Sequence, residues 1–176
     1  MPKKKDIDIL FVGSILPRRK KIIEQLKKEF NIEVHNAYGI KMTELFNRAK
    51  IVLNIHAEDY LDTETRIFEA LGCGAFVISE ELSSENPFIS GKDYIEVNSL
   101  EQMKNKIKYY LTNSIERNNI ALSGYKEAIE NHSYKNRAKQ FINYFNRYAK
   151  QSISPTFSSK KLVFYSQIEQ ILNKFR

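Results

Sequence analysis

The sequence predicts an α/β protein: a parallel sheet with helices on both faces, followed by a helical C-terminal part. Three observations lead there. Short apolar runs alternate with amphipathic helical stretches through about the first two-thirds of the chain. Those runs are apolar throughout, the pattern of strands buried on both faces. From Ser99 onward, helix-opening signals follow one another.

The elements follow in order. Asp8 to Val12 is a strand ending at Gly13-Ser14. Ile22, Ile23, Leu26 and Phe30 recur at helical spacing, and Pro17 or Arg18 opens that helix, because proline is tolerated in a first turn. Ile32 to Val34 is a second strand, Tyr38-Gly39 a loop, Thr43 to Ala49 a short helix and Lys50 to Ile55 a third strand. A polar loop from His56 to Thr63 leads into a helix over Thr63 to Leu71, stopped by Gly72. Ala75 to Ser79 and Asp93 to Val97 are the fourth and fifth strands. Ser99 and Gln102 have the spacing of a capping box for a helix through Leu111. Asn113 and Glu116 can cap another helix, and Ser133 starts a third.

One domain with an appendage is expected. Residues 6–150 form the sheet domain, and residues 151–176 form a polar linker and an amphipathic helix. Phe164, Ile168, Ile171, Leu172 and Phe175 make one apolar stripe on that helix. Such a stripe needs a surface to cover it, on its own domain, on another domain or on a partner subunit.

Composition narrows the class. The chain has 176 residues, 42% hydrophobic and 28% charged, ordinary for a soluble globular protein. No apolar run approaches the roughly 18 residues that span a bilayer, and the basic start, Lys3-Lys4-Lys5, lacks the pattern of a signal peptide. The single cysteine, Cys73, fits a reducing, cytoplasmic location. A net charge of +7 favours phosphates, nucleic acid or an anionic membrane surface as partners. The basic residues are spread out, and neither a basic-aromatic strand motif nor a zinc finger is present, which argues against nucleic acid. Peripheral contact with the inner membrane surface remains compatible with the charge.

In parallel sheets, ligands bind at the carboxyl ends of the strands. After the first strand come Gly13, Arg18, Arg19 and Lys20: a glycine turn, a helix amino end and basic side chains, suited to a diphosphate. A solvated basic helix face is the alternative. Neither a dinucleotide fingerprint nor a P-loop is present. After the third strand, His56 stands at the same edge. In the next helix, Thr65, Arg66 and Glu69 share one face. A carboxylate such as Glu69 can accept two hydrogen bonds, which suits the vicinal diol of a ribose. A surface salt bridge between Arg66 and Glu69 is the alternative. His35 and His132 are weaker candidates. No spacing of ligands suggests a metal, and no nucleophile–base set is assigned.

The stretch from Thr65 to Glu80, TRIFEALGCGAFVISE, resembles the donor-site helix and strand of group 1 glycosyltransferases, especially their spore-maturation-protein-like branch. KIVLNIHAED (50–59), GKDYIEVNSLEQMKNKIKYYL (91–111) and HSYKNRAKQFI (132–142) are similar to further segments of that family, in the same order. The resemblance covers about Asp6 to Tyr148. It implies the Rossmann-like carboxyl-terminal domain of the two-domain glycosyltransferase architecture. That domain binds a nucleoside-diphosphate sugar, of UDP type in many members, with no metal or other cofactor.

Carried over residue by residue, the resemblance gives Glu69 the ribose hydroxyls. Arg18, Arg19 or Lys20 take the diphosphate, and Tyr38-Gly39-Ile40 hold the base through backbone contacts. The turn Asp62, Thr63 and Thr65 faces the diphosphate and sugar. Many members carry another glutamate eight positions before the ribose one; here Leu61 stands there. The acceptor-binding half, which in the family commonly supplies the base, is expected to be absent from this chain. The acceptor itself, a glycan, lipid or protein, is not specified. The expectation is therefore the donor-binding domain of a glycosyltransferase. A non-catalytic nucleotide-binding or interaction module of the same fold is the alternative.

Overall fold

The computed structural model describes residues 5–58 and 61–152. It divides into two compact units, residues 1–133 and 134–176. The expected apolar stripe from Phe164 to Phe175 lies outside the described residues, as do Asp59 and Tyr60.

The first unit holds β1 (Ile7–Val12), α1 (Pro17–Leu26), β2 (Ile32–His35), α2 (Gly39–Arg48), β3 (Ala49–Asn54), α3 (Thr65–Gly72), β4 (Val77–Glu80), β5 (Ile95–Val97), α4 (Leu100–Thr112) and α5 (Ser114–His132). The five strands are parallel, in the order β2-β1-β3-β4-β5. Registers such as Ile9 beside Ile32 and Ile51, and Leu53 beside Ile78, keep apolar residues level across the sheet. The parallel α/β class expected from the strand–helix alternation, and the Rossmann-like fold implied by the resemblance, are what the chain forms.

The two faces of the sheet build two cores, because successive strand residues point to opposite sides. Leu10, Val12, Val52 and Val77 pack with Met42, Leu45 and Phe46 of α2 and Ile67, Ala70 and Leu71 of α3. Ile9, Phe11, Ile51, Leu53 and Ile78 pack with Ile23 and Leu26 of α1 and Met103, Ile107 and Tyr110 of α4. Helix α5 contributes Ala128 to the first core and Ile120 and Ala121 to the second.

Several boundaries differ from the sequence reading, each for a local reason. Helix α3 stops through two glycines rather than one. Gly72 is its last helical residue; Gly74, at φ +70°, takes the left-handed position. The bonds Gly74 N–H to Leu71 O (2.8 Å) and Ala75 N–H to Ala70 O (3.1 Å) complete a Schellman motif. Strand β4 accordingly begins at Val77 instead of Ala75. Helix α2 starts at Gly39, four residues early, because Gly39 at φ +57° turns the chain directly into the helix. The capping pattern at Ser99 is present: its Oγ accepts from Gln102 N–H at 3.2 Å, while Gln102 Oε1 accepts from Asn98 N–H at 3.1 Å. The one at Asn113 is not. Asn113 Nδ2 donates back to Tyr109 O at 2.8 Å, and Glu116 is taken by the Tyr109 and Tyr110 hydroxyls.

Strands β4 and β5 are joined without a helix. The connecting loop instead buries Leu82, Phe88 and Tyr94 in the first core. Buried Asp93 supplies the polar partners such a loop needs. It accepts from Ile89 N–H at 3.0 Å and from the Ser123 hydroxyl of α5 at 2.7 Å.

The second unit is described through α6 (Tyr134–Ser152). Among the described residues, no helix is long and apolar enough to cross a membrane.

Candidate functional site

The strand order creates the site. From β1 the chain moves outward to β2, then crosses back past β1 to β3. The loops after β1 and β3 therefore leave in opposite directions and open a crevice between the two carboxyl ends. A cavity of about 160 Å³ lies there, lined by Gly13, Ser14, Arg19, Tyr38, Asn54, Glu64 and Arg66, with Phe11 and Val12 beneath.

Arg19 is the central cation. It lies in the first turn of α1, directed under the β3 end, and is only 8% exposed. Its Nε donates to Ile55 O at 2.8 Å, and its Nη2 meets both Glu64 oxygens at 2.8 and 2.7 Å. The guanidinium also lies over the Phe11 ring, 5.5 Å from its centroid. Glu64 is the N-cap residue of α3 but gives its helix no side-chain cap. Its carboxylate reaches Arg19 and the Ala57 N–H, at 3.2 Å, instead. Helix α1 likewise begins without a side-chain cap, because Leu16 stands at its N-cap and Pro17 follows. Uncapped N–H groups at a helix start carry positive partial charge and suit an anion.

Arg18 points to the other side of α1. It forms a bidentate pair with Glu80 at the end of β4, at 2.7 and 2.8 Å. It also donates to His56 O at 3.2 Å. With His56, Leu61 and Glu81 these residues line a neighbouring cavity of about 200 Å³ at the ends of β3, β4 and β5. His56 is buried. Its Nε2 is 2.7 Å from Glu81 O, and its Nδ1 has no hydrogen-bond partner.

The remaining expected residues divide. Tyr38 is exposed at the cavity mouth, with the Arg66 guanidinium 5.8 Å from its ring centroid. Gly39 and Ile40 follow it, and both are exposed. Thr63 joins its hydroxyl to Ser83 at 2.7 Å, and Asp62 and Thr65 are exposed around the start of α3. Glu69 does not line the cavity. It lies one turn along α3 and is linked to it through Arg66, whose Nη1 is 2.9 Å from Glu69 Oε2 in ion-pair contact. That oxygen is buried and receives no hydrogen bond. Arg66 also contacts the Met42 sulfur. Lys20 is not brought to the cavity; it stands in solvent with Glu24 at 3.9 Å.

His35 pairs with Glu33 at 3.0 Å. His132 packs edge-on against Phe68 and Phe88. Both serve local structure.

Sequence reasoning missed Glu64, Glu80 and the Asn54 amide, which donates to Ser79 Oγ at 2.9 Å. A signal was available for Glu80, which directly follows the predicted fourth strand and so stands at the ligand edge. Glu64 precedes the first residue of its helix, but nothing local to it foretells a partner 45 positions away.

Solved structures of similar shape share this topology at low identity. Staphylococcus aureus TarM, crystallised with fondaparinux, α-GlcNAc-glycerol and UDP, matches with a TM-score of 0.63 at 14% identity, over 82% of this chain and 36% of its own. Anabaena HepE in complex with UDP-glucose matches with a TM-score of 0.60 at 13% identity, over 80% of this chain and 41% of its own. In sequence, an uncharacterized protein of Acanthamoeba polyphaga mimivirus is 39% identical over 89 residues, 49% of this chain and 30% of that protein. The chain thus spans less than half the length of these relatives. The family described as glycosyl transferase-like matches residues 3–143. With four-fifths of its sequence inside that match, the chain belongs to the glycosyl transferase-like family.

Proposed function

We propose that this chain is the donor-binding half of a glycosyltransferase and takes a nucleoside-diphosphate sugar, of UDP type, at the β1–β3 crevice. The observation that carries this is the buried guanidinium of Arg19. It stands at the topological switch point beside Gly13 and an uncapped helix start, and its Nη2 already holds both oxygens of a carboxylate. Glu64 there stands in for the oxygens of a phosphate, which match a guanidinium in charge and geometry. The UDP and UDP-glucose bound by TarM and HepE support the same ligand class.

In this reading, an acceptor hydroxyl attacks the anomeric carbon and the bond to the diphosphate breaks. The hydroxyl proton passes to a base of the acceptor-binding half. This chain's part is to hold the leaving diphosphate: Arg19, the Gly13-Ser14 backbone and the α1 dipole face its growing negative charge. Tyr38 lies at the mouth, beside the place of the base. Glu69 accepts the ribose hydroxyls after Arg66 swings aside, exchanging its ion pair for hydrogen bonds from the diol.

Calorimetric titration with UDP tests this. Glu69→Ala is expected to weaken binding at least about tenfold, or roughly 1.4 kcal/mol. Equal affinity in wild type and variant would sink the assignment of Glu69. A second reading, a non-catalytic module, is favoured by one feature: Leu61 occupies the position of the second family glutamate. Absence of UDP binding by the folded chain would support it.

A further inference from the structure

Another cavity lies on the opposite edge of the sheet, at the amino ends of the strands. It is open to solvent and has a volume of about 830 Å³, within the range of small-molecule sites. Lys5 stands just before β1, Lys50 near the start of β3 and Phe76 just before β4. Cys73 at the end of α3, and Arg117 and Tyr125 of α5, close the other side. All these residues belong to the first unit.

Its electrostatics are unbalanced. Arg117 is 7% exposed and forms no ion pair with a carboxylate among the described residues. Its Nη1 donates to Tyr110 O at 2.5 Å and contacts Leu111 O at 3.4 Å. These are the free carbonyls of the last turn of α4, so one nitrogen has a structural task. Among the described residues, Nε and Nη2 have no such task, and Arg117 lines the cavity. Lys5 is half-buried, forms no ion pair among the described residues and has its pKa lowered, first by burial and then by the charge of Arg117. Arg117 is itself pushed down by burial, with Asp8 acting the other way. Asp8 acts on Arg117 and is bonded to Lys50 at 2.6 Å, while Glu69 acts on Cys73. Lys5, Lys50 and Arg117 thus bring three cations to the cavity, and Lys5 and Arg117 are near enough to repel each other. Such an arrangement costs free energy that a bound anion relieves. Phe76, Leu122 and Tyr125 form apolar walls beside the charges.

We propose that this amino-edge cavity binds a small organic anion: a phosphate or carboxylate head held by Lys5 and Arg117, with an apolar, ring-sized body against Phe76 and Tyr125. The site is separate from the donor crevice, and the inference does not depend on that reading.

Cys73, the chain's only cysteine, lines the cavity and reports on it. Burial raises its thiol pKa, so alkylation is slow and sensitive to access. The experiment measures the rate of Cys73 labelling by N-ethylmaleimide on the full chain, with phenyl phosphate as probe, at fixed pH and ionic strength. Phenyl phosphate is expected to slow labelling saturably. In Lys5→Gln, whose thermal midpoint should match wild type, the protecting concentration should rise at least about tenfold. Arg117→Lys, keeping charge but not the fork, should give a smaller rise. UDP should not protect at the concentrations that fill the donor crevice. The proposal is overturned if phenyl phosphate leaves the rate unchanged, or if it protects Lys5→Gln and wild type alike. Protection by UDP with an equal midpoint would overturn the second site. Protection by phosphatidylglycerol vesicles but not phenyl phosphate would assign the patch to a membrane surface instead.

Discussion

At the scale of single residues, charge pairs surround the β1–β3 crevice. Arg19 with Glu64, Arg18 with Glu80 and Arg66 with Glu69 occupy the arginines around the crevice. On the proposed function, a diphosphate entering the crevice must first displace Glu64 from Arg19 Nη2, so its affinity is reduced by that cost. Glu64→Gln removes the competing charge while keeping an oxygen for the Ala57 N–H. It is therefore expected to tighten UDP binding about threefold to tenfold, seen by calorimetry. A weaker complex would mean that Glu64 touches the ligand itself. Arg19 needs a partner in either state, because an unpaired guanidinium at that depth is costly.

At the scale of elements, α5 locks the helixless β4–β5 connection onto the sheet. Gly124 lies against the backbone at Asp93, and a methyl group added there would meet Asp93 O at 2.3 Å and Leu71 Cδ2 at 2.8 Å. Alanine favours a helix over glycine by about 1 kcal/mol. Here the obstacle is backbone, which cannot swing away as a side-chain tip can. Gly124→Ala is expected to lower stability by about 1–3 kcal/mol, measured by urea unfolding. A gain in stability would show that α5 can slide, and that Asp93 and Ser123 do not pin it. Gly124 lies in the middle of a 19-residue helix whose sequence shows no break, so its close approach is visible only once the loop is placed beneath it.

At the scale of the whole molecule, acid stability depends on contacts between distant segments. Glu29, just beyond α1, accepts from Lys104 at 2.6 Å and Lys108 at 2.8 Å, both on α4. These bonds, Lys104 first and Lys108 second, pull its pKa from 4.5 down to about 2. A carboxyl held below its unfolded value stabilises the fold above that value and loses the contribution as pH falls through the folded one. The urea midpoint of wild type should therefore exceed that of Glu29→Gln near neutral pH. The gap should shrink from about pH 4.5 downward and vanish near pH 2. A gap independent of pH would show that packing, not charge, accounts for it. Salt should narrow the gap too, because the pair is exposed.

The sequence by itself determined the layered α/β class and the sequence positions of all five strands. Strand runs such as Ile9 to Val12 and Ile51 to Leu53 are short, local and buried on both faces, so their apolar pattern is written in adjacent residues. It also located Arg19 and Tyr38 at the crevice, because glycine turns and helix starts are local signals. Only the tertiary structure decided which cations are engaged and by what. Glu64 reaches Arg19 across 45 positions, and Glu80 reaches Arg18 across 62. It also decided that Lys20 turns to solvent and that Glu69 is reached only through Arg66. The amino-edge cavity was hidden for the same reason. Lys5, Cys73 and Arg117 belong to separate segments, and only the parallel sheet, which brings every strand start to one edge, sets them side by side.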